Sequence, residues 1–293
     1  MFSLSMAIFG TIGLFVRFIP LSSGEIALIR AVLAFLLVGG YLLIKRQKIS
    51  FENSKKELFL LLLSGAAMGF NWIFLFEAYK YTTVSAATLS YYFAPVIVMV
   101  LSPFLFKEKL TAKKIICFIF STLGLVMITG IGNLGGESNH LKGIVFGLFA
   151  ACLYAAVMIL NKLIKGLSGI ERTFLQFASA IAVLLPYVLL TDGIAAFTLE
   201  TAGITCLLIV GLIHTGFAYI LYFSSLKEIE GQQVAIISYI DPLVAVLVSV
   251  FVLKEEITAV QLIGGALILC FTLLNEIKLK KLKIKLFGPG SRA

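Results

Sequence analysis

The sequence predicts an all-α polytopic membrane protein with ten transmembrane helices, arranged as two inverted repeats of five. Of the 293 residues, 60% are hydrophobic and only 13% are charged, whereas a soluble domain is about half apolar and about a quarter charged. The apolar runs are continuous and as long as the roughly 20 residues that a bilayer-spanning helix needs. A transmembrane barrel would instead show short segments of alternating hydrophobicity.

The repeat follows from a motif that occurs twice. SAATLSYYFAPVIVMVLSPFLFKEKL begins at Ser85, and QQVAIISYIDPLVAVLVSVFVLKEEI begins at Gln232. Each segment is centred on a proline, Pro95 or Pro242, and each ends in charged residues followed by Thr-Ala. When the prolines are aligned, these further pairs coincide: Tyr92 with Tyr239, Lys107 with Lys254, Glu108 with Glu255, and Gly69 with Gly216.

The apolar runs place the ten spans between short polar turns. We predict them over residues 2–19, 25–44, 58–79, 84–106, 115–131, 144–164, 174–190, 204–226, 234–253 and 259–277. A Gly-rich polar stretch marks the joint between the halves. The first repeat thus covers residues 1–131, the connecting loop 132–143 and the second repeat 144–277. A basic tail over residues 278–293 follows, and its last six residues are typical of a cloning remnant.

Charge sets the orientation of the chain. Lysine and arginine concentrate on alternate loops and on the tail, so both termini are expected in the cytoplasm, and the net charge of +9 indicates these loops and not a nucleic-acid partner. Each half holds an odd number of spans, so the second half enters the cytoplasmic (inner) membrane from the opposite face. Inverted repeats of this kind are typical of secondary transporters, with the substrate near the midplane.

Four polar residues lie within the spans, where charge is costly and usually functional. Asp241 precedes Pro242 in span nine and could bind a cation, carry a proton, accept a substrate hydrogen bond or join a neighbouring helix. Arg30 and Glu77 could form an ion pair or gate the outer mouth. His214 could be a substrate ligand or a hydrogen bond between helices. Pro95 and Pro242 are predicted hinges, because proline frees a backbone carbonyl.

Aromatic side chains with polar tips surround these residues. Tyr91, Tyr92 and Tyr239 lie too near mid-span for an interfacial belt. They could wall a cavity that holds a cation or a ring, or simply pack with satisfied hydroxyls. Two glycine patterns, Gly65 with Gly69 and Gly143 with Gly147, suit close helix packing. The sequence shows no phosphate loop, no Ser-His-Asp set and no metal-ligand cluster, so we predict no cofactor, no metal and no enzyme.

The paired segments LSYYFAPVIVMVLSPFLFKEKLTA and ISYIDPLVAVLVSVFVLKEEITA resemble the EamA family of the drug/metabolite transporter superfamily, over about residues 3–277. The resemblance implies an inner-membrane carrier of amino acids, nucleotide-like metabolites or small amines. It also implies a cavity lined by spans one, three, four, six, eight and nine. On this sequence the substrate-binding residues would be Asn71, Trp72, Tyr91, Tyr92, His214, Tyr219, Tyr239 and Asp241. Relatives often carry glutamate before the second proline, so a glutamate-specific role does not transfer to Asp241.

We therefore predict a secondary transporter that works by alternating access, with an amino acid or related amine as the favoured substrate. The substrate would lie between Tyr91, Tyr92 and Tyr239, with Asp241 or His214 supplying polarity. A broad-specificity drug or lipid-like carrier is the alternative, and an integral-membrane enzyme or scaffold is disfavoured. Proton coupling and exchange both stay open, and a monomer suffices because the two halves complete a pathway between themselves.

Overall fold

The computed structural model describes residues 1–46, 55–107, 111–129, 138–164, 167–191, 193, 195, 199–226 and 237–276. In these residues every regular element is helical, and helices occupy all ten predicted positions. This confirms the all-α polytopic class. Of the predicted regions, most of the connecting loop, the first residues of span nine and the basic tail lie outside the described residues.

The helix bounds agree with the predicted spans to within a few residues, and several spans are broken. In chain order the helices are Phe2–Gly10 and Ile12–Val16 (span one), Ser23–Ile44 (two), Lys55–Tyr81 (three), Val84–Tyr91 and Ala94–Phe106 (four), Ala112–Thr129 (five), Ser138–Leu163 (six), Gly169–Thr191 (seven), Thr201–Leu208, Ile209–Phe217 and Ala218–Leu226 (eight), Ile240–Leu247 and Val248–Val252 (nine), and Ala259–Glu276 (ten). The middle segment of span eight and the last segment of span nine are π-helical.

Length and composition alone mark six helices of the described chain as able to cross a bilayer, namely Ser23–Ile44, Lys55–Tyr81, Val84–Phe106, Asn139–Leu163, Gly169–Thr191 and Thr201–Ser225. The bundle is also apolar outside and partly polar inside. Phe104 is 78% exposed and Leu190 is 86% exposed, whereas Ser64, Gln176 and Thr215 are buried. Contiguous exposed apolar surface is rare in soluble monomers, so this distribution suits a protein surrounded by lipid.

Both predicted hinges lie just after helix breaks. Span four is interrupted between Tyr91 and Ala94, and Pro95 stands in the first turn of the segment that follows. The last segments of span nine begin at Ile240, so Pro242 also stands in a first turn. Proline is tolerated there, because the first turn leaves its N–H groups without partners anyway. Hinge motion at these positions stays a prediction.

Packing between the two halves comes in matched pairs. Span three packs on spans six and seven, while its repeat counterpart, span eight, packs on spans one and two. Span four packs on span six, and its counterpart, span nine, packs on span one. Spans two and seven, four and nine, and five and ten pack on their own counterparts. Each of these interfaces therefore has an equivalent when spans one to five are exchanged with spans six to ten.

The glycine patterns lie at close helix contacts, as predicted. A Cβ on Gly65 would lie 2.5 Å from the Cβ of Ser179 in span seven, and a Cβ on Gly143 would lie 2.7 Å from the Cβ of Thr82. The counterpart of Gly69, Gly216, approaches span two in the exchanged interface. Side chains at these glycines would push the helices apart.

The motifs that begin and end helices also recur at equivalent positions in the two halves. Ser22 and Glu25 form a reciprocal capping box at the start of span two, and Ser168 and Glu171 form the same pair at the start of span seven. After spans four and nine, Lys107 and Lys254 have φ values of 54° and 56°. Both are left-handed conformations that end a helix.

Candidate functional site

The breaks in spans four and nine meet inside the bundle. The hydroxyl of Tyr92, at the break in span four, donates to Oδ2 of Asp241 in span nine. Tyr91 stacks on Tyr154 of span six with ring centroids 5.0 Å apart, and meets the ring of Tyr92 edge-on at 5.8 Å. Tyr239 is the half-buried residue just before the helix that carries Asp241. The structure thus brings Tyr92 onto the Asp241 carboxylate and Tyr91 onto Tyr92, while Tyr239 is two residues from Asp241 in the chain.

A second polar centre forms around Arg30 of span two, which is only 4% exposed. Its Nε donates to Oγ1 of Thr215 at 3.0 Å. The guanidinium carbon lies 4.2 Å from the ring centroid of Trp72 and 5.1 Å from that of Phe76. The cation is therefore held by one hydroxyl and two aromatic rings.

Aromatic rings continue from Trp72 across the interior. Trp72 contacts Phe177 with centroids 6.0 Å apart, and Phe177 meets Tyr219 edge-on at 5.6 Å. Phe9 of span one meets the other side of this cluster at 5.2 Å from Tyr219. Predicted residues of spans three and eight therefore share one aromatic wall.

The two polar centres border a common region. Tyr79, Tyr91 and Tyr219 each interact electrostatically with both Arg30 and Asp241. Within the described part of the chain, Oδ1 of Asp241 and the hydroxyls of Tyr91 and Tyr219 have no hydrogen-bond partner. These oxygens therefore keep hydrogen-bonding capacity that a small polar ligand can use.

Two predicted site residues make contacts between helices instead. Nδ2 of Asn71 donates to the carbonyl of Ala150 at 2.6 Å, which ties span three to span six. Nε2 of His214 lies 2.8 Å from Oγ1 of Thr11, at the break in span one. The other ring nitrogen of His214 lies 3.2 Å from the carbonyl of Ile209. For His214, these contacts agree with the second of the two roles considered, a hydrogen bond between helices.

The ion pair between Arg30 and Glu77, left open by the sequence, is not formed. Glu77 accepts a hydrogen bond from Oγ of Ser23 at 2.7 Å and lies 3.0 Å from Nζ of Lys80. Lys80 is three residues further along the same helix, so it shares a face with Glu77. Arg30 has no ion pair among the described residues.

The sequence did not reveal an ion pair at the predicted outer end. Arg17, after span one, pairs with the carboxylate of Glu255, after span nine. Nη2 of Arg17 also donates to the carbonyl of Thr82 at 2.8 Å, and Glu255 accepts from the backbone N–H of Val84 at 2.9 Å and from Oγ of Ser249. We call Arg17 and Glu255 the outer latch, because they join spans one, three, four and nine. The repeated Lys-Glu ending was the available signal for Glu255.

A cavity of about 440 Å³ opens beside the outer latch. Arg17 and Lys80 line it, as do Phe76 and Tyr79. Phe76 also contacts the guanidinium of Arg30, and Tyr79 interacts with both buried charges. The cavity therefore shares two lining residues, Phe76 and Tyr79, with the surroundings of Arg30. Among the described residues, no group of three or more His, Cys, Asp or Glu could hold a metal ion.

An apolar helical bundle with a polar, aromatic interior defines an integral membrane protein with an internal site. Its sequence matches the EamA-like transporter family over residues 1–130 and 141–276. The chain therefore belongs to the EamA-like transporter family, which supports a general role in transport.

Individual relatives agree with the family. The chain is 34% identical over 245 residues to "Uncharacterized transporter YxxF" of Bacillus subtilis (strain 168), covering 83% of this chain and 78% of the relative. It is 28% identical over 254 residues to "Probable amino-acid metabolite efflux pump" of Salmonella typhimurium (strain LT2), covering 82% and 85%. A solved crystal structure shares the fold with a TM-score of 0.63 at 14% identity, over 92% of this chain and 94% of that chain.

Proposed function

We propose that the protein is a secondary transporter that moves a small metabolite, an amino acid or related amine, across the cytoplasmic membrane. The observation that carries this proposal is the Asp241 carboxylate, which lies between two helix breaks with one oxygen accepting from Tyr92 and the other without a partner among the described residues. A carboxylate bordered by aromatic rings is the surrounding that an ammonium group prefers.

The cost of placing the charge of Asp241 within a membrane-spanning segment supports a binding role. A charged side chain in the membrane interior costs about 2.5–3.5 kcal/mol on insertion scales. A hydrogen bond to a charged group returns about 1.5–3 kcal/mol, and among the described residues Asp241 accepts one, from Tyr92. An ammonium group of the substrate would supply the second partner.

Transport would proceed by alternating access between two inverted repeats. The matched interfaces, the paired capping boxes and the left-handed lysines support a two-fold relation between the halves. We propose that the halves rock about the breaks beside Pro95 and Pro242, with both termini in the cytoplasm. The outer latch would then close the outer end in one state and open in the other.

The family favours a carrier over an enzyme, and a relative of similar length is described as a probable amino-acid metabolite efflux pump. In a proton-coupled cycle Asp241 would carry the proton, whereas an exchange cycle would need only its charge. A monomer would suffice, since both halves contribute to the site.

A ligand screen tests this function. The detergent-purified protein is screened by thermal shift against amino acids, quaternary amines, nucleosides and vitamins. A ligand of the folded state raises stability by about 2.7 kcal/mol at a hundredfold excess over its dissociation constant. We expect selective stabilisation by amino acids or amines, lost in Asp241→Asn and retained in Glu200→Gln, which removes an exposed carboxylate.

Two results would contradict the proposal. Small shifts from many unrelated apolar compounds would favour a broad drug or lipid-like carrier. Selective binding of amino acids that persists unchanged in Asp241→Asn would show that Asp241 is not part of the binding site.

A further inference from the structure

We infer that Arg30 binds a carboxylate of the substrate, so that the substrate is an amino acid or another molecule with both an amine and a carboxylate. This inference rests on the proposed function and narrows it, because it excludes simple amines. It also gives Arg30 a role other than the gate or ion pair that the sequence suggested.

The structure holds the Arg30 side chain in one orientation. Its Nε donates to Oγ1 of Thr215, and that hydroxyl donates in turn to the carbonyl of Val210 at 2.8 Å. The rings of Trp72 and Phe76 contact the guanidinium. A binding group that is already fixed loses little freedom when the ligand arrives.

The far end of the guanidinium is left for a ligand. Within the described chain Nη1 and Nη2 have no hydrogen-bond partner. Their donors are therefore unused by the protein. Two adjacent N–H groups of a planar guanidinium fit the two oxygens of a carboxylate, so the shape of the free end matches this anion.

The charge of Arg30 is also unmatched by the protein. Glu77 is engaged by Ser23 and Lys80, and no described acid pairs with Arg30. Aromatic rings attract a cation but do not neutralise it. An ionisable residue kept inside a membrane protein without a counter-charge points to a ligand of opposite sign.

Arg30 and Asp241 are placed as two ends of one site. The same three tyrosines, Tyr79, Tyr91 and Tyr219, interact with both charges. The two side chains do not form an ion pair with each other, so neither neutralises the other. One ligand with a carboxylate and an ammonium group can satisfy both, with its carboxylate at Arg30 and its amine at Asp241.

The experiment compares acids with their amides. Isothermal titration calorimetry measures binding of leucine, phenylalanine, threonine and lysine, each beside its α-amide, which keeps the amine and removes the carboxylate. The proteins are wild type, Arg30→Gln, Arg30→Lys and Arg46→Gln. Arg46 is exposed at the end of span two and provides the matched loss of an arginine charge.

We expect the wild type to bind at least one acid about tenfold or more tightly than its amide. In Arg30→Gln the acid should lose about ten- to a hundredfold in affinity and the preference should vanish, because the amide never used the guanidinium. Arg30→Lys should keep part of the preference, since its charge remains and its planar fork does not. Arg46→Gln should behave as wild type.

The contrary outcomes separate the two proposals. Equal binding of acids and amides by the wild type, or an acid preference that survives in Arg30→Gln, would overturn the role of Arg30 and leave the amine site at Asp241 intact. If neither acids nor amides bind, the proposed function itself fails and the inference fails with it. If Arg30→Gln does not fold, the wild-type comparison still tests recognition of the carboxylate, and an acid preference unchanged in Arg30→Lys would then overturn the role of the guanidinium.

Discussion

Arg17 and Arg30 lie in the same half of the chain but in opposite surroundings. Arg17 is paired with the carboxylate of Glu255 and bonded to backbone carbonyls. Arg30 is more deeply buried, and among the described residues it has a single hydroxyl as hydrogen-bond partner. One arginine completes a network within the protein, and the other keeps donors without a partner among the described residues.

The difference separates a charge that is paired near the surface from a charge that is left unpaired in the interior. A charge whose partners all belong to the protein holds elements together, and removing one partner leaves the other uncompensated. A charge without a protein partner costs stability and persists when a ligand uses it, which is a recurrent conflict between stability and function. Changes at the outer latch should therefore affect stability more than ligand binding, and changes at Arg30 should affect ligand binding more than stability.

The largest loss of stability is expected from Glu255→Gln. Glu255 joins Arg17, Val84 and Ser249, and its side chain is only 7% exposed. Removing one member of a buried pair costs about 3–5 kcal/mol, and because the Arg17 side chain is 32% exposed we expect roughly 2–3 kcal/mol here. Thermal unfolding in detergent measures the loss.

Glu256→Gln is the matched control for this change, because Glu256 is the exposed neighbour. It should change stability by less than about 0.5 kcal/mol. Equal effects of the two substitutions would show that the outer latch does not stabilise the fold.

A smaller loss of stability is expected from Gly10→Ala, because the added methyl group would clash with span nine beside Asp241. The added Cβ would meet the carbonyl of Asp241 and lie 2.7 Å from the Cβ of Val244. Overpacking of this kind costs about 1–3 kcal/mol, and the displaced Asp241 should weaken ligand binding as well.

Gly40→Ala is the control, since a Cβ there meets nothing within 4 Å. Alanine is favoured over glycine in a helix by about 1 kcal/mol, so this variant should be as stable as wild type or slightly more so. Wild-type binding by Gly10→Ala would mean that the close contact between spans one and nine does not position the carboxylate.

Tyr92→Phe should weaken binding more than it weakens the fold. It removes the hydroxyl that donates to Asp241 and leaves the ring in place. This bond is already present without ligand, so only its orientation of the carboxylate acts on binding, and affinity for an amine-bearing ligand should fall by up to about tenfold. Calorimetry measures this change, with Tyr81→Phe as a control whose ring packs on Phe146 at the end of span three. Equal affinity in both variants would place the ammonium site elsewhere.

The smallest effect is expected from Lys80→Gln. Its pair with Glu77 is partly exposed, with the two side chains 44% and 25% accessible. Such pairs are worth about 0–1 kcal/mol, so thermal stability and ligand affinity should both stay near wild type. A large loss of binding would indicate that Glu77 and Lys80 act as a gate, which would extend the functional charges to the outer mouth.

Local patterns in the sequence predicted much of this fold. Continuous apolar runs place the spans, and glycine spacing locates close helix contacts such as that of Gly65 with Ser179. The alignment of Pro95 with Pro242 locates the paired breaks, because proline acts on its own helix. The capping boxes at Ser22 and Ser168 were also visible as Ser-x-x-Glu, a signature that the prediction did not use.

The partners of the polar residues were harder to predict, because they depend on how distant helices rotate against each other. Arg30 meets Thr215, which is 185 positions away in the sequence. No local pattern distinguishes that contact from the expected pair with Glu77. No residue type in span eight predicts that the segment Ile209–Phe217 is π-helical. It presents both His214 and Thr215, so the missed segment lies close to the site.

The claim that Arg30 is kept for ligand binding and not for stability is tested most directly by Arg30→Met. Stability and binding are measured in the same preparation. Methionine keeps much of the length of arginine and removes its charge, and with it the desolvation cost of a buried charge that has no ionic partner. We predict a melting temperature equal to or above that of the wild type, together with loss of amino-acid binding. A fall in melting temperature comparable to that of Glu255→Gln, with binding retained, would show that Arg30 is a structural residue and would contradict the account.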